Sequence, residues 1–117
     1  MTEPELNGIE RALSIGLPIR YRELAKTNPL DRSDHNIQIE WMIDDREIVA
    51  INRYLREEFS SVWEDYYFAI GTAPVGDVRF LDTSEDGTRV YNWDHETHEV
   101  TELAANLDEW LLQLKSA

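Results

Sequence analysis

The sequence predicts an α+β fold, with an antiparallel β-meander of about four to six strands packed against N-terminal helices and one C-terminal helix. Apolar residues recur at helical spacing through much of the first half of the chain, and they alternate with polar residues from Tyr66 to Leu103. Short links of turn-forming residues separate the alternating segments, and links this short join antiparallel neighbours. Helices first, strands next and a closing helix is an order typical of the α+β class.

The first helix is predicted from its cap and its apolar stripe. Thr2 followed three residues later by Glu5 is a capping-box pattern, and Gly16 suits the left-handed conformation that closes many helices. We therefore expect this helix over residues 3–15. Its expected buried stripe consists of Leu6, Ile9 and Leu13.

The segment that follows is predicted to form a short helix, a loop and a strand. Pro18 suits the first turn of the helix, and Asn28-Pro29 ends it because the residue before a proline avoids the α region. The polar residues 29–36 are expected to form a loop. Residues 37–43 begin with apolar and polar side chains in alternation, which favours a strand.

A longer helix and then four strands are predicted for the middle of the chain. Asp44 or Asp45 can cap a helix over 46–59, whose apolar residues share one face. The hydrophobic period then changes to two, and turn residues separate segments rich in aromatic and β-branched side chains. The expected strands are 66–71, 77–82, 89–94 and 98–103.

A last helix is predicted after the strands. Asn106 can cap it, and Glu109 occupies the matching capping-box position. Its expected buried stripe consists of Leu107, Trp110, Leu111 and Leu114. Because the sequence contains no repeat and no linker, residues 1–117 are expected to form a single domain.

The charge of the chain is strongly negative and unevenly distributed. The net charge is −13; residues 1–33 carry five acids and five bases, whereas residues 57–109 carry fourteen acids against Arg79 and Arg89. Such a field repels nucleic acid and anionic membranes and attracts a basic partner, although it serves equally well as a solubilising surface. We therefore expect neither a nucleic-acid partner nor membrane association.

The expected compartment is the cytoplasm. The chain has no cysteine, which suits a reducing environment and leaves no disulfide or thiolate metal site. Residues 1–16 are charged and amphipathic rather than signal-like, and no apolar stretch approaches the roughly 20 residues that a bilayer span requires.

No motif in the sequence favours catalysis. There is no cysteine nucleophile and no Gly-x-Ser-x-Gly elbow, and the glycines of segment 71–76 are not followed by the lysine of a phosphate-binding loop. The acids and imidazoles of segment 94–98 are interpreted as a turn in which Asp94 accepts backbone hydrogen bonds, because a metal would need further ligands. We expect no enzyme activity, cofactor or metal; a metal-dependent site at His95 and His98 is the remaining alternative.

Aromatic residues concentrate among the acids of the second half of the chain. Most should be buried, but strand alternation leaves some facing outward. Exposed aromatic side chains beside carboxylates are suited to anchoring a protein partner. The residues predicted to contact that partner are Glu64, Asp65, Asp77, Asp82, Glu85, Asp86, Asp94 and Glu96.

Several short segments of the chain follow one another in a characteristic order. They are IERAL (9–13), LPIRYREL (17–24), FAIG (68–71), GD (76–77), FLDTS (80–84), VYNWDHET (90–97), LA (103–104) and LDEWL (107–111). In this order the segments resemble the SUKH superfamily, which contains fungal cell-wall-synthesis regulators and many bacterial immunity proteins. The chain departs from the family pattern at Pro29, which replaces the glycine usual after Asn28, and at His98, where the family commonly has glycine.

The resemblance implies a compact α+β domain without catalytic activity. In bacteria such proteins commonly neutralise a secreted or contact-delivered toxin, often a nuclease, by binding it directly, and an acidic face suits a basic cleft. The implied partner is therefore a basic toxin domain. The alternative is a regulatory or scaffolding module that binds several partners weakly. The chain is expected to be a monomer or a weak dimer, because an exposed sheet edge can pair with a second copy.

Overall fold

Five helices and four strands make up the part of the chain that this computed structural model describes, residues 1–30, 33–85 and 88–116. The helices are α1 (Glu3–Leu13), α2 (Ile19–Thr27), α3 (His35–Glu40), α4 (Asp45–Glu58) and α5 (Leu107–Ser116). The strands are β1 (Tyr67–Thr72), β2 (Val78–Asp82), β3 (Val90–Trp93) and β4 (Val100–Ala104). None of these helices has both the length and the apolar character needed to cross a membrane.

The strands form one antiparallel sheet in the order β1-β2-β3-β4. The predicted α+β meander with helices before and after it is therefore confirmed, and the described residues hold four strands. Each observed strand overlaps its predicted range, with ends displaced by at most two residues. The strands β1 and β4 form the two edges of the sheet.

The first helix begins as predicted and ends earlier. Thr2 and Glu5 form the capping box, with the Thr2 hydroxyl accepting from the Glu5 N–H and the Glu5 carboxylate accepting from the Thr2 N–H. The expectation of a helix over 3–15 closed by Gly16 is wrong, since Ser14 adopts the left-handed conformation at φ 55°. The Glu10 carboxylate accepts the Leu17 N–H at 2.7 Å, which turns the chain sharply after the helix.

The strand predicted over 37–43 is wrong, because these residues contain most of α3. The Asp34 carboxylate accepts from the N–H groups of Asn36 and Ile37 and caps the helix. Ile37 and Trp41 lie four residues apart, the spacing of one helical face, and both are buried. The same two apolar residues therefore fit either period, and the cap at Asp34 decides between them.

The other helices follow their predicted signals. α4 is displaced by one residue from its predicted range, with Asp44 as its cap through bonds of 2.9 and 3.1 Å from the N–H groups of Arg46 and Glu47. α2 ends before Asn28, which is left-handed at φ 46°. Asn106 caps α5 by accepting from the Glu109 N–H at 2.9 Å.

The sheet is covered on both faces, but unequally. One face, termed the helix face, contributes to the larger core with residues of α1, α2, α3, α4 and α5; its strand residues are Phe68, Ile70, Leu81, Val90 and Ala104. The opposite face packs against Leu55 of α4, Trp63 and a few half-buried neighbours. We term it the aromatic face, and its ring-bearing strand residues are Tyr67, Phe80, Tyr91 and Trp93.

Candidate protein-binding surface

The eight acids predicted to contact a partner do not form one cluster. Asp86 lies outside the described residues. The tyrosine end of the sheet, where β1 begins and β2 ends, holds Glu64, Asp65, Asp82 and Glu85. The histidine end, where β2 begins and β3 ends, holds Asp77, Asp94 and Glu96. Because a strand of this length spans about 17 Å, the meander separates the acids into two groups.

At the histidine end, Asp77 and Asp94 fix the local structure. Asp77 Oδ1 accepts from the backbone N–H of His95 at 3.1 Å and lies 2.6 Å from His95 Nδ1, while its Oδ2 accepts from Asn92 at 3.1 Å. Asp94 Oδ1 accepts from the N–H groups of Glu96 and Thr97 at 2.8 and 2.9 Å. The predicted turn with Asp94 as its acceptor is therefore confirmed.

One group of potential metal ligands is present among the described residues, and it consists of Asp77, Asp94 and His95, with ligand atoms within 4.8 Å of one another. His98 does not belong to it, since its ring stacks on Trp93 with centroids 4.9 Å apart and planes at 8°. The proposed pairing of His95 with His98 at one site therefore finds no support in the geometry. The hydrogen bonds of Asp77 and Asp94 account for the arrangement without a metal.

The Asp77–His95 contact should make stability depend on pH. The Asp77 carboxylate raises the pKa of His95 from its ordinary value of 6.5, helped by the charges of Glu96 and Asp94. Protonated His95 therefore contributes its full stabilisation of the folded state below pH 6.5, and this stabilisation is lost as the pH rises through the higher folded pKa. The hydrogen bond from His95 lowers the pKa of Asp77 from 3.8 to about 2, so that contribution is full above pH 3.8 and lost as pH falls toward 2.

We therefore predict that the free energy of unfolding of the His95→Gln variant falls furthest below that of the wild type between pH 3.8 and 6.5, and by less at higher pH. Urea unfolding of the variant and the wild type across pH measures the difference. His35→Gln, at an exposed position on α3, is the matched control and should show no such maximum. A difference in unfolding free energy that is constant with pH would contradict the prediction.

The aromatic face carries a continuous series of contacting rings. Phe80 lies between the two tyrosines, with centroids 4.3 Å from Tyr67 and 5.4 Å from Tyr91. Trp63 packs on this series at 5.2 Å from Phe80 and continues it to Trp93 at 5.7 Å. Trp63, Phe80 and Trp93 are buried, whereas Tyr67 and Tyr91 are half-buried. The large apolar side chains exposed around this face are Tyr54, Val62, Tyr66 and Val100.

The electrostatic potential around the tyrosine end is negative. Desolvation raises the pKa of Tyr66, and the carboxylates of Glu64 and Asp82 raise it further. Desolvation also raises the pKa of Tyr67, and the charges of the Tyr66 phenolate and of Asp82, Glu64 and Glu85 act in the same direction. A basic side chain brought to this surface would be attracted by the same charges.

The two bases of the acidic region are already paired. Arg79 points to the helix face, where it lies 2.9 Å from Glu40 and its guanidinium carbon is 5.3 Å from the centre of the Trp110 ring. Arg89 lies 3.6 Å from Glu102. Arg79 therefore leaves the acids of the tyrosine end uncompensated, whereas the pKa of Arg89 is raised by Tyr91, Glu102 and the charge of Glu85.

Sequence reasoning missed an apolar groove beside the histidine end. The groove has a volume of about 370 Å³ and runs between the C-terminal half of α4 and the β1–β2 hairpin. Its apolar and aromatic lining includes Ile51, Tyr54, Leu55, Phe59, Val78 and Trp93. The available signal in the sequence was Tyr54, an aromatic residue beside the apolar residues Ile51 and Leu55 of α4. That a groove forms there follows only from the packing of α4 on the sheet.

Comparison with protein-family models finds a match over residues 1–113 to the model described as the SMI1 / KNR4 family (SUKH-1). Neither the search of curated proteins nor the search of solved structures finds a match. The match spans all five helices and four strands except the last residues of α5.

Proposed function

We propose that this chain, which belongs to the SMI1/KNR4 family (SUKH-1), is a bacterial immunity protein that neutralises a cognate toxin by binding it directly. The observation that carries the proposal is the aromatic face, where half-buried and exposed rings lie among acidic side chains. The role is one of binding rather than catalysis, and it takes place in the cytoplasm.

The physical basis of the proposal is complementarity to a basic cleft. A toxin that degrades nucleic acid presents a positive surface to phosphates, and an acidic face competes for that surface. Opposite charges speed association more than they set affinity, while rings in the centre of the contact supply the buried anchors. The proposed contact residues are exposed or half-buried acids. They are Glu64, Asp65, Asp82 and Glu85 at the tyrosine end, with Glu96 at the margin of the contact, at the histidine end.

Asp77 and Asp94 are proposed to act indirectly. Their carboxylates accept several hydrogen bonds each, so they hold the β3–β4 turn in place, and only their remaining negative charge reaches a partner. Replacing either residue would disturb the fold and the charge together. Charge-reversal experiments are therefore better placed at Glu64, Asp65, Glu96 and Glu99.

The proposal is tested by capture and by rescue. Tagged protein is used to capture partners at two salt concentrations from the source cells and from their close competitors. The expected result is one basic protein at about equal stoichiometry that is toxic when expressed alone and harmless when this chain is co-expressed. Several unrelated partners bound weakly, with no toxicity, would instead favour the regulatory or scaffolding module.

Two charge-reversal variants test where the partner binds. We expect the Glu64→Lys/Asp65→Lys variant to lower the association rate by about tenfold at low salt, because it reverses two exposed charges at the tyrosine end. The Glu96→Lys/Glu99→Lys variant changes the net charge by the same amount at the histidine end and should have a smaller effect. Stopped-flow association measures both rates.

The outcomes of the charge-reversal pair separate the surface from the role. Equal decreases in association rate in the two variants would show that the overall negative charge of the protein matters and its location at the tyrosine end does not. Unchanged association and neutralisation in both variants would refute the proposed face and leave the role to the capture experiment.

A further inference from the structure

A small pocket opens on the aromatic face at the tyrosine end. Its volume is about 140 Å³, below the roughly 300–1,000 Å³ of sites that hold drug-sized ligands, so it has room for one side chain. We infer that it receives an arginine side chain of the partner protein. The inference rests on the proposed function and names the group by which the partner is recognised. The lining residues are Tyr67, Phe80, Asp82, Glu85, Tyr91 and Val100.

The walls of the pocket are aromatic and fixed in position. Tyr67 and Tyr91 lie on either side of Phe80, and both make ring contacts with it at 4.3 and 5.4 Å. Phe80 is buried beneath them and packs on Trp63 at 5.2 Å. A planar cation can stack on such rings, and stacking gains strength where water is partly excluded.

The two carboxylates of the pocket are oriented and incompletely used. Asp82 Oδ1 accepts from the N–H and the hydroxyl of Ser84 at 2.9 and 2.5 Å. Glu85 Oε1 accepts from the Tyr91 hydroxyl at 2.5 Å. Within the described part of the chain, the second oxygen of each carboxylate has no hydrogen-bond partner. As far as the described residues go, those oxygens are available to accept the N–H groups of an incoming cation.

Arginine fits this combination of groups better than lysine. The guanidinium is planar, stacks on rings and donates in several directions at once, whereas the ammonium of lysine is a compact and strongly hydrated charge. The chain itself provides a precedent at the margin of the pocket, where the Tyr91 hydroxyl, Glu102 and Glu85 raise the pKa of Arg89. Arg89 does not line the pocket, and its side chain is 57% exposed.

Titration with short peptides tests the inference without the toxin. The three probes are the blocked tripeptides Gly-Arg-Gly, Gly-Lys-Gly and Gly-citrulline-Gly, followed through the tyrosine ring signals in NMR spectra of the full chain. The arginine peptide should shift the signals of Tyr67 and Tyr91 saturably, with weaker effects from lysine and none from the neutral citrulline. Equal shifts from arginine and lysine, or no shift at tens of millimolar peptide, would overturn the inference.

Three variants locate the effect. Glu85→Gln should weaken binding of the arginine peptide at least about threefold, whereas Glu99→Gln, the same change at the histidine end, should leave it unaltered. Arg89→Ala should strengthen binding, because it removes the only described base beside the pocket. Equal weakening by Glu85→Gln and Glu99→Gln would also overturn the inference. Capture and rescue of the toxin do not depend on these results, so failure of the pocket and failure of the immunity role are distinguishable.

Discussion

Gly71→Ala should destabilise the fold by at least about 3 kcal/mol, or prevent folding altogether, because overpacking here falls on backbone atoms rather than on mobile side chains. A Cβ at this position would lie 2.1 Å from the carbonyl oxygen of Glu40 and 2.7 Å from that of Ile39. Both carbonyls belong to α3, which packs directly on β1. Relief of the clash would require the whole last turn of α3 to move away from the sheet.

The consequences of that movement would extend along the sheet. The Met42 N–H donates to the Ile70 carbonyl at 3.0 Å and joins the end of α3 to the outer edge of β1. Glu40 also holds Arg79 through a contact of 2.9 Å on the helix face. Displacement of α3 therefore removes a backbone hydrogen bond and weakens a largely buried ion pair together.

Urea unfolding measures the effect, and the chain provides a matched glycine. Gly8→Ala lies inside α1, and beyond the backbone of its own helix and its two chain neighbours no atom lies within 4 Å of the added Cβ, so it should stabilise the protein by about 0.5–1 kcal/mol through helix propensity. The two variants make the same chemical change and are expected to have opposite signs. A Gly71→Ala protein as stable as the wild type would show that α3 is not held against β1.

Local signals predicted most of the helices and strands because the decisive groups lie close in sequence. The capping box joins Thr2 to Glu5, and in the turn after β3 Asp94 accepts the Thr97 N–H, so both involve residues at most three positions apart. The segment 37–43 was mispredicted because Ile37 and Trp41 satisfy both the strand and the helix period. Its helical state depends on the Asp34 cap and on packing against β1, and the second of these is a tertiary contact.

The candidate site was predictable in its charge but not in its arrangement. Composition identified the acids, yet only the meander separates Asp82 and Glu85 from Asp77 and Asp94 by the length of a strand. Nor could spacing show that Asp77 accepts hydrogen bonds from Asn92 and His95 whereas Glu64 and Asp65 are exposed. These distinctions arise from contacts between residues distant in sequence.

His98 departs from the family pattern, and its ring contacts explain how the fold accommodates it. It occupies the position where the SUKH pattern commonly has glycine, and its φ of 64° is in the left-handed region that costs other residues about 1 kcal/mol or more. Its ring stacks on Trp93 at 4.9 Å and contacts Phe59 at 5.5 Å. These contacts offset the backbone cost and extend the aromatic series toward the groove beside α4.

Asn52→Ala should cost about 3–5 kcal/mol of stability, the range expected when buried hydrogen bonds and packing are lost together. Asn52 lies on α4 and is fully buried. Its side-chain amide donates to the carbonyls of Ile48 and Ala69 at 2.9 and 3.1 Å, and its Oδ1 accepts the Ala69 N–H at 2.8 Å. The amide thus pairs with β1 as a neighbouring strand would, on the edge that β2 does not cover.

Alanine at this position would leave the N–H and the carbonyl of Ala69 buried without partners. Because desolvated peptide groups cost about 1–3 kcal/mol each, the loss should exceed that of an ordinary surface asparagine. Asn7→Ala is the control; Asn7 is half-buried and accepts one hydrogen bond from Arg22, which also contacts Glu3 and Glu10. We expect the control to cost under about 1 kcal/mol.

Hydrogen exchange distinguishes loss of this contact from a general loosening of the core. In the Asn52→Ala protein the amide proton of Ala69 should exchange much faster than in the wild type, beyond the change at Phe68 and Leu81 that global destabilisation explains. The same α4 carries Leu55, which packs beneath the aromatic face, so partner binding should weaken in the variant as α4 loosens from β1. Unchanged protection of Ala69 with unchanged stability would show that α4 is held to the sheet by its apolar side chains alone.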